Sequence, residues 1–445
     1  MKNAALLTDL YELTMLAAYI EHGMEQEAVF EFFVRSLPVS RNFLIAAGLS
    51  QVVEYLQTLA FSAEDLAWLA STGRFSKRFL QWLADFRFRG EVHAVPEGTL
   101  VFADEPLIRI TAPLPQAQFI ESRLINIVNH QTMVASKAIR SRIAAGDKQL
   151  IDFGLRRAHG FEGALMSARA SYIGLFDGTS NVLAAQQFGI PLFGTMAHSF
   201  IEACEGESQA FLRYATTHPK GPTFLIDTYD TESGARHVVA LMEKLKAMGA
   251  TPAAVRLDSG NLAKHARAVR QIFDEAQASE VRIFASGNLD EHAIAHLIEL
   301  DAPIDGFGVG TRMNVSADAP YLDCAYKLQH YAGAPRRKRS SGKATWPGAK
   351  QIWRSRDADG KFASDHLTLH TEAFSGEPLV KPILRAGNRV AEEDSLDVIR
   401  DRVRNQLASL PRSYLSLDAH QIFPVTISKG IEAAAHAADA RAAIW

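Results

Sequence analysis

The chain has 445 residues, of which 47% are hydrophobic and 22% are charged, the composition of an ordinary globular protein with room for large cores. Its 47 Lys and Arg against 50 Asp and Glu give a net charge of -3, which argues against a protein whose main task is to bind nucleic acid. The two cysteines, Cys204 and Cys324, are widely separated, which excludes a thiolate zinc site. The acidic residue Asp9 comes too early for a signal peptide, and no apolar run is long enough to span a membrane. We therefore expect a cytoplasmic protein.

Residues 1–115 predict a mixed α/β domain. Asp9 and Glu12 have the spacing of a helix capping box. The two apolar runs on either side of Pro96-Glu97-Gly98 predict a hairpin-like break within an antiparallel sheet. In chain order, the predicted elements are a helix over 9–21, a strand over 29–34, helices within 49–85, and strands over 92–95, 100–102 and 107–110.

Residues 116–330 have a different pattern, in which one or two long helices over 116–145 precede a series of short apolar runs that end in Asp, Gly or Ser. These runs occupy 150–153, 191–194, 224–227, 253–258, 282–286 and 304–309. The last four begin at intervals typical of a strand plus a crossover helix, and near-continuous apolar strands indicate a buried parallel sheet. Six such units favour an irregular (β/α) barrel, while an open doubly wound sheet remains the alternative.

Residues 331–445 begin with an exposed basic loop, Pro335–Pro347, that contains Arg336-Arg337-Lys338-Arg339. A strand-rich segment and an Ala-rich helix follow it. We expect the strands over 351–354, 367–370 and 379–384, and the helix over about 431–444.

Two strand ends carry arginine beside a carboxylate. In the string Asp152–Arg157, Phe153 stands between an acid and two arginines, a combination that suits a flat aromatic anion, although a core Phe with surface arginines is the alternative. Arg256 and Asp258 lie on the same side of a predicted strand, where they can form a structural ion pair or orient a substrate.

Four further strand ends carry groups that can bind ribose or phosphate. Asp227 and Asp230 flank one strand end, where carboxylates can bind ribose hydroxyls or Mg²⁺ and where Asp230 can instead cap a helix. Gly287-Asn288 and Gly306–Arg312 form glycine-bearing turns late in the barrel, the place where phosphate sites often occur. His198 follows another strand end and can act as a base or a phosphoryl acceptor; no partner has metal-ligand spacing.

These strings, taken together and in order, resemble those of the nicotinate phosphoribosyltransferases over most of the chain. The matching strings are Thr8–Met15, Asp152–Arg157, Gly178–Asn181, Gly194–Ser199, Arg256–Gly260, Ser286–Asp290, Gly308–Thr311 and Lys343–Gly348. The resemblance implies the type II phosphoribosyltransferase fold, with an irregular α/β barrel and a mixed α/β domain built from both ends of the chain. It also implies a homodimer whose active sites lie at the subunit interface.

The implied reaction joins nicotinate to 5-phosphoribosyl 1-pyrophosphate on the route to NAD, with Mg²⁺ and with ATP hydrolysis coupled through a phosphohistidine at His198. The resemblance assigns the nicotinate ring to Phe153 and to Tyr11 of the partner subunit, and the nicotinate carboxylate to Arg256, Thr195 and Ser180. It assigns phosphate to Arg156, and ribose or Mg²⁺ to Asp227 and Asp258. The residues that it implies for the 5-phosphate and other phosphate contacts are Gly287, Asn288, Gly308, Gly310, Thr311 and Lys327.

Ser180 bears on the choice of substrate, because the related nicotinamide enzymes carry Asp at the matching position and a carboxylate there repels nicotinate. A nicotinamide or quinolinate phosphoribosyltransferase is the nearest alternative. A nucleic-acid-binding protein that uses the basic residues 336–343 is an alternative from another class. A member of the family that has lost activity is a third.

Overall fold

The structure is a computed structural model that describes residues 5–442. The chain folds into two compact units: a terminal unit of Met1–Met133 with Tyr321–Trp445, and a central unit of Val134–Pro320. The sequence placed these divisions at 115/116 and 330/331. The first observed division falls inside one 25-residue helix, Glu121–Ala145, where no change of composition marks it.

Sixteen α-helices occur within residues 5–442. They are α1 Leu10–Glu21, α2 Leu49–Thr58, α3 Ala63–Ser71, α4 Lys77–Ala84, α5 Leu114–Phe119, α6 Glu121–Ala145, α7 Gly160–Ile173, α8 Val182–Phe188, α9 His198–Glu202, α10 Glu207–Thr217, α11 Thr231–Ala247, α12 Leu262–Glu275, α13 Glu291–Glu299, α14 Thr311–Asn314, α15 Leu396–Ser409 and α16 Lys429–Ala442. Leu155–Arg157 and Arg412–Leu415 form 3-10 turns. None of these helices is long and apolar enough to cross a bilayer.

Nineteen strands occur in the same part of the chain. They are β1 Glu27–Val34, β2 Leu44–Ile45, β3 Glu91–Ala94, β4 Leu100–Val101, β5 Ile108–Pro113, β6 Gln149–Asp152, β7 Gly178–Thr179, β8 Thr223–Leu225, β9 Ala254–Leu257, β10 Arg282–Ala285, β11 Gly306–Val309, β12 Cys324–Tyr331, β13 Ala334–Pro335, β14 Lys350–Arg356, β15 Phe362–Leu369, β16 Glu377–Pro378, β17 Lys381–Arg385, β18 Asn388–Arg389 and β19 Val425–Ile427.

The terminal unit contains a seven-stranded antiparallel sheet of order β13-β12-β1-β5-β3-β17-β18, which joins strands from both ends of the chain. A four-stranded sheet, β16-β14-β15-β19, and the short pair β2-β4 complete it. Seven of the eight residues of β1 are buried, and Phe30 stacks on Tyr326 of β12 with 5.0 Å between ring centroids. Burial of these apolar strands supplies the main stabilisation of the unit.

Two local predictions for the terminal unit are wrong. Asp9 precedes α1 but makes no capping bond, because its carboxylate accepts the Ser122 hydroxyl (2.8 Å) while the buried Glu12 accepts from Gln118 (3.0 Å). The turn at 96–98 does not form a hairpin. Strand β3 pairs with β5 and β17, whereas β4 pairs with β2, so the turn passes the chain from one sheet to another.

The C-terminal region belongs to the terminal unit, and its strands and last helix lie close to the predicted spans. Arg337 and Arg339 of the basic loop each pair with Asp439 on α16, with N···O distances of 3.0 and 3.4 Å. These two cations therefore serve an internal contact. The predicted end of the last helix, at Ile444, lies outside the described residues.

The central unit contains a six-stranded parallel sheet of order β7-β6-β11-β10-β9-β8. Most residues of its strands are buried, as their apolar sequences predict. The predicted strand at 191–194 makes only a single bridge, between Leu192 and Thr179. The irregular (β/α) barrel is confirmed as a half-barrel, and no ladder joins β7 to β8 within residues 5–442.

Candidate active site

The carboxyl ends of all six parallel strands meet at one edge of the central sheet, and most of the predicted site residues lie there. Phe153 follows β6, Ser180 follows β7, Asp227 follows β8, Arg256 and Asp258 lie at the end of β9, Gly287 and Asn288 follow β10, and Gly310 and Thr311 follow β11. Open and closed α/β folds bind ligands at this edge, because the loops there come together while the strands stay rigid.

Asp152 ties two of these strand ends to a helix, a role that the sequence did not reveal. Its buried carboxylate accepts the Gly154 amide, the Asn314 side chain and the Thr179 hydroxyl, each at 2.8 Å. Burial raises the pKa of Asp152, and the three donors oppose that shift. An acid at the end of an apolar strand was the only signal for it, since Asn314 lies 162 residues away.

Phe153, Thr195 and Arg256 form one cluster. The guanidinium carbon of Arg256 lies 6.0 Å from the centroid of the Phe153 ring, and its Nη1 donates to the Thr195 hydroxyl at 2.5 Å. Its Nε is buried and has no partner within the described chain. Burial lowers the pKa of Arg256, while Asp258 and Asp227 raise it. The cluster therefore presents a fixed cation with an open donor beside an aromatic face, the arrangement that a flat carboxylate needs.

Gly308 is needed to seat the Phe153 ring. A Cβ at this position of β11 would come within 2.4 Å of the ring, and a Cβ at Gly310 would lie 3.0 Å from the Phe153 carbonyl oxygen. Glycine allows this close approach because it has no side chain. The structure therefore places Gly308 against the aromatic wall.

Asp227 and Asp258 hold adjacent strand ends together. Asp227 Oδ2 accepts the Asp258 amide (2.8 Å) and the Ser259 hydroxyl (2.6 Å), and Asp258 Oδ1 accepts the Ser286 hydroxyl (2.5 Å). Asp227 is only 9% exposed, and its buried Oδ1 has no partner in residues 5–442. No ion pair within 4.0 Å joins Arg256 to Asp258 in that range, so the structural ion pair considered from the sequence is not formed.

His198 begins the short helix α9 and lies beside the same edge. Its Nδ1 is 3.1 Å from the hydroxyl of Thr228, the residue that follows Asp227. Phe153 thus contacts Arg256, and Arg256 contacts Thr195. His198 lies three residues after Thr195 and contacts Thr228 in the loop after β8. Thr228 was not selected from the sequence, because a threonine after an acid carries no distinctive signal.

The glycine turn after β10 packs tightly on the end of β9. Gly287 has φ +94°, and a Cβ there would lie 2.1 Å from the Asp258 carbonyl oxygen. Asn288 is also left-handed, with φ 53°. Asp290 caps α13 and accepts from Arg312 at 2.5 Å. Position 287 therefore requires glycine, and the backbone of the turn stays at the sheet edge.

Two of the predicted residues belong to the terminal unit. They are Tyr11 on α1 and Lys327 on β12, and Lys327 pairs with Glu121 at 3.1 Å. Arg156 is exposed on the 3-10 turn after Phe153, and Arg157 reaches the Thr311 hydroxyl at 3.5 Å. Within the described residues, no group of three His, Cys, Asp or Glu side chains could hold a metal ion.

Comparisons with known proteins point to the same family over successive parts of the chain. The family described as nicotinate phosphoribosyltransferase matches residues 148–343, and the N-terminal and C-terminal domains of such enzymes match 6–129 and 368–434. A nicotinate phosphoribosyltransferase from Mycobacterium tuberculosis is 46% identical, covering 96% of this chain and 92% of that protein. One from Bacillus subtilis is 34% identical, with coverage of 96% and 93%. The crystal structure of human nicotinic acid phosphoribosyltransferase matches with a TM-score of 0.86 at 29% identity, over 96% of this chain and 98% of that one.

Proposed function

Because the chain belongs to the nicotinate phosphoribosyltransferase family, its activity is the transfer of a phosphoribosyl group to nicotinate in NAD biosynthesis, and we propose that the carboxyl edge of the central sheet performs this transfer. The substrates are nicotinate and 5-phosphoribosyl 1-pyrophosphate. The pyridine nitrogen forms a bond to the anomeric carbon of the ribose as the bond from that carbon to pyrophosphate breaks. The products are nicotinate mononucleotide and pyrophosphate.

The half-buried guanidinium of Arg256, fixed between Phe153 and Thr195, is the observation that carries this proposal. It supplies a charged donor for the nicotinate carboxylate, and the Phe153 ring supplies a flat apolar face for the pyridine. Ser180 lies at the adjacent strand end, where its hydroxyl donates to the Asp152 carbonyl oxygen at 3.1 Å. A neutral residue at this position leaves the carboxylate of nicotinate without a repelling neighbour.

The phosphoribosyl substrate lies over the remaining strand ends in this proposal. Asp227 and Asp258 hold the ribose, and the turns at Gly287 and Gly310 approach the 5-phosphate with backbone N–H groups. The unpartnered Oδ1 of Asp227 fits Mg²⁺ that arrives on the pyrophosphate, since Mg²⁺ in such sites uses one or two carboxylates and substrate phosphates. When bound, the ion neutralises charge on the leaving group. The side chains position the reacting atoms and exclude water.

His198 is the group that ATP phosphorylates in this proposal. Its Nδ1 is engaged by Thr228, and its Nε2 has no hydrogen-bond partner within residues 5–442, so Nε2 is the nitrogen that accepts the phosphoryl group. Bonding at one ring nitrogen fixes the tautomer and leaves the other nitrogen as the nucleophile. Coupling through this site makes the transfer faster when ATP is present.

A homodimer is also proposed, in which Tyr11 of the partner subunit covers the nicotinate ring. In support, Leu7, Leu10 and Tyr11 expose 52%, 50% and 45% of their surfaces close together at the start of α1. Contiguous exposed apolar side chains often mark a subunit contact. Both cysteines are unpaired, in keeping with a reducing cytoplasm.

The test of substrate choice measures pyrophosphate release with nicotinate, nicotinamide or quinolinate, each with phosphoribosyl pyrophosphate and Mg²⁺. Nicotinate is expected to give the highest kcat/KM. A higher value for either of the other pyridines would contradict the assignment of Arg256 and Ser180.

The test of the phosphohistidine compares His198→Ala with the wild type, and uses the exposed His218→Ala as the matched control. His198→Ala should lose the stimulation by ATP, retain basal transfer, and take up no acid-labile phosphate. Acid-labile phosphate on His198→Ala at the wild-type level would rule out this residue.

The test of the shared site mixes two variants that are each impaired, Tyr11→Ala and Arg256→Gln. If each site draws on both subunits, exchange should restore native sites in about a quarter of positions. Activity that stays at the sum of the two separate variants would show that the sites are not shared.

A further inference from the structure

A second concave site lies in the terminal unit, over one face of the seven-stranded sheet. It is a cavity of about 570 Å³, within the range of small-molecule sites. Its lining includes Glu27 of β1, Glu91 and His93 of β3, Arg109 of β5, Arg385 of β17, and Arg89 just before β3. None of these residues takes part in the transfer reaction proposed above.

Arg109 is the centre of this site, because it is a buried cation that forms no ion pair within residues 5–442. It is 5% exposed and lies on β5 directly opposite Glu31 of β1 and His93 of β3. The carboxylate of Glu31 is already occupied, since it accepts the Lys350 amide at 2.8 Å and pairs with the Lys350 ammonium at 2.5 Å. Arg109 keeps one hydrogen bond, from Nη1 to the Lys350 carbonyl oxygen at 2.7 Å.

This arrangement is costly without a further anion. No carboxylate lies within 4.0 Å of the Arg109 guanidinium in residues 5–442. Burial lowers the pKa of Arg109, and the more distant carboxylates of Glu31 and Glu91 oppose that shift only in part. A buried charge is normally paired, because removal of a charge from water without compensation costs several kcal/mol. An anion in the cavity would supply the pairing that the protein does not.

The rest of the lining suits a phosphate on a larger molecule. Arg89 and Arg385 are exposed and make no side-chain ion pair within the described chain, so three guanidinium groups border the cavity against the carboxylates Glu27 and Glu91. Burial, with Arg109 next in effect, lowers the pKa of His93 to about 4, and its buried Nδ1 has no partner. A neutral imidazole can bond a hydroxyl.

We propose that this cavity binds a small organic phosphate, with the phosphate group held by Arg109, Arg89 and Arg385. Arginine forks match phosphate oxygens, and three cations suit a dianion better than a single carboxylate. Inorganic phosphate alone would leave part of the cavity unfilled. That part can hold an organic group against the apolar side chains of Val29, Ala112 and Ala349. Since β5, β17 and the turn before β3 supply the arginines, the ligand would tie these segments together.

Hydrogen exchange read by mass spectrometry tests the site, because peptides from the cavity and from the catalytic edge are scored separately. The probes are ribose 5-phosphate, inorganic phosphate and ribose. Ribose 5-phosphate should slow exchange over 89–93, 107–112 and 383–387, and ribose should not. The double variant Arg89→Gln/Arg385→Gln should raise the apparent Kd of ribose 5-phosphate, read from protection of these peptides, by at least about tenfold. Each hydrogen bond to a charged group contributes about this much to binding.

The matched control is Arg74→Gln/Arg412→Gln, which removes the same charge from exposed positions of the terminal unit outside the cavity. It should leave the protection unchanged, and both double variants should retain the effect of ribose 5-phosphate over 286–290 and 308–312. No protection of the cavity peptides, or protection that survives Arg89→Gln/Arg385→Gln, would overturn the proposal. Equal apparent affinity for inorganic phosphate would overturn the assignment to an organic phosphate.

Discussion

Replacing Thr195 by valine tests whether the fixed orientation of Arg256 sets the affinity for nicotinate. The Thr195 hydroxyl accepts from Arg256 Nη1 at 2.5 Å, and Arg256 Nε already has no partner in the described chain. Valine has nearly the same shape but offers no acceptor, so the half-buried guanidinium loses its one side-chain hydrogen bond within residues 5–442. Arg256 should then be free to leave its place beside Phe153.

The magnitude follows from the charge on the donor. A hydrogen bond to a charged group contributes about 1.5–3 kcal/mol, which corresponds to roughly 10–150-fold in kcat/KM. We expect the loss mainly in KM for nicotinate, because the carboxylate is bound equally in the ground state and the transition state. The KM for phosphoribosyl pyrophosphate should change little.

The assay measures initial rates of pyrophosphate release at varied nicotinate and saturating phosphoribosyl pyrophosphate. Thr195→Ser keeps the hydroxyl and is the matched control, and thermal unfolding of both variants checks the fold. If Thr195→Val stays within about twofold of the wild type in kcat/KM, below roughly 0.4 kcal/mol, the hydrogen bond does not position the cation and the reasoning fails.

Three further predictions address specificity, the glycine turn and pH. Ser180→Asp should lower kcat/KM for nicotinate by a large factor through charge repulsion, as initial rates would show. Gly287→Ala should destabilise the protein by at least about 2 kcal/mol in urea unfolding, because its Cβ would lie 2.1 Å from the Asp258 carbonyl oxygen at φ +94°. Glu12→Gln should be more stable than the wild type above pH 7, by up to about 3 kcal/mol, and similar to it near pH 4.5, as thermal unfolding across pH would show.

The sign for Glu12 follows from its environment. Burial, together with the charge of Glu121, raises its pKa to about 7, against an ordinary value of 4.5. The unfolded chain therefore loses this proton first, and the stability that the proton gives is lost as the pH rises from 4.5 through 7. A stability difference between Glu12→Gln and the wild type that does not grow over this range would contradict the assignment.

Matched control variants distinguish charge repulsion at Ser180 and steric overlap at Gly287 from a general loss of stability. Ser180→Asn is close in size to Ser180→Asp but neutral, and should keep most nicotinate activity. Gly249→Ala shares a positive φ, +74°, but meets no atom within 4 Å, so it measures the cost of the backbone conformation alone. Equal loss of stability in Gly287→Ala and Gly249→Ala would show that the contact with Asp258 is unimportant.

Much of the site was predictable because parallel strands bring their carboxyl ends to one edge. The positions of Phe153, Asp227 and Arg256 after or within apolar runs were enough to expect them together, without knowledge of the strand order. The domain boundary inside α6 was not predictable, since a continuous helix gives no local signal where it passes from one unit to the other. The predicted capping box at Asp9 does not form, because the Asp9 carboxylate accepts a hydrogen bond from Ser122, which lies far along the chain.

The sequence by itself determined which groups stand at the strand ends, since the order of apolar runs and polar ends is a local property of the chain. Only the tertiary structure decided which hydrogen-bond and ion-pair partners the polar side chains have. Asn314 restrains Asp152 across 162 residues. Lys350 pairs with Glu31 across 319 residues, which leaves Arg109 with no ion pair in the described part of the chain. Side-chain pairing over such separations depends on packing of distant segments, which no local pattern records.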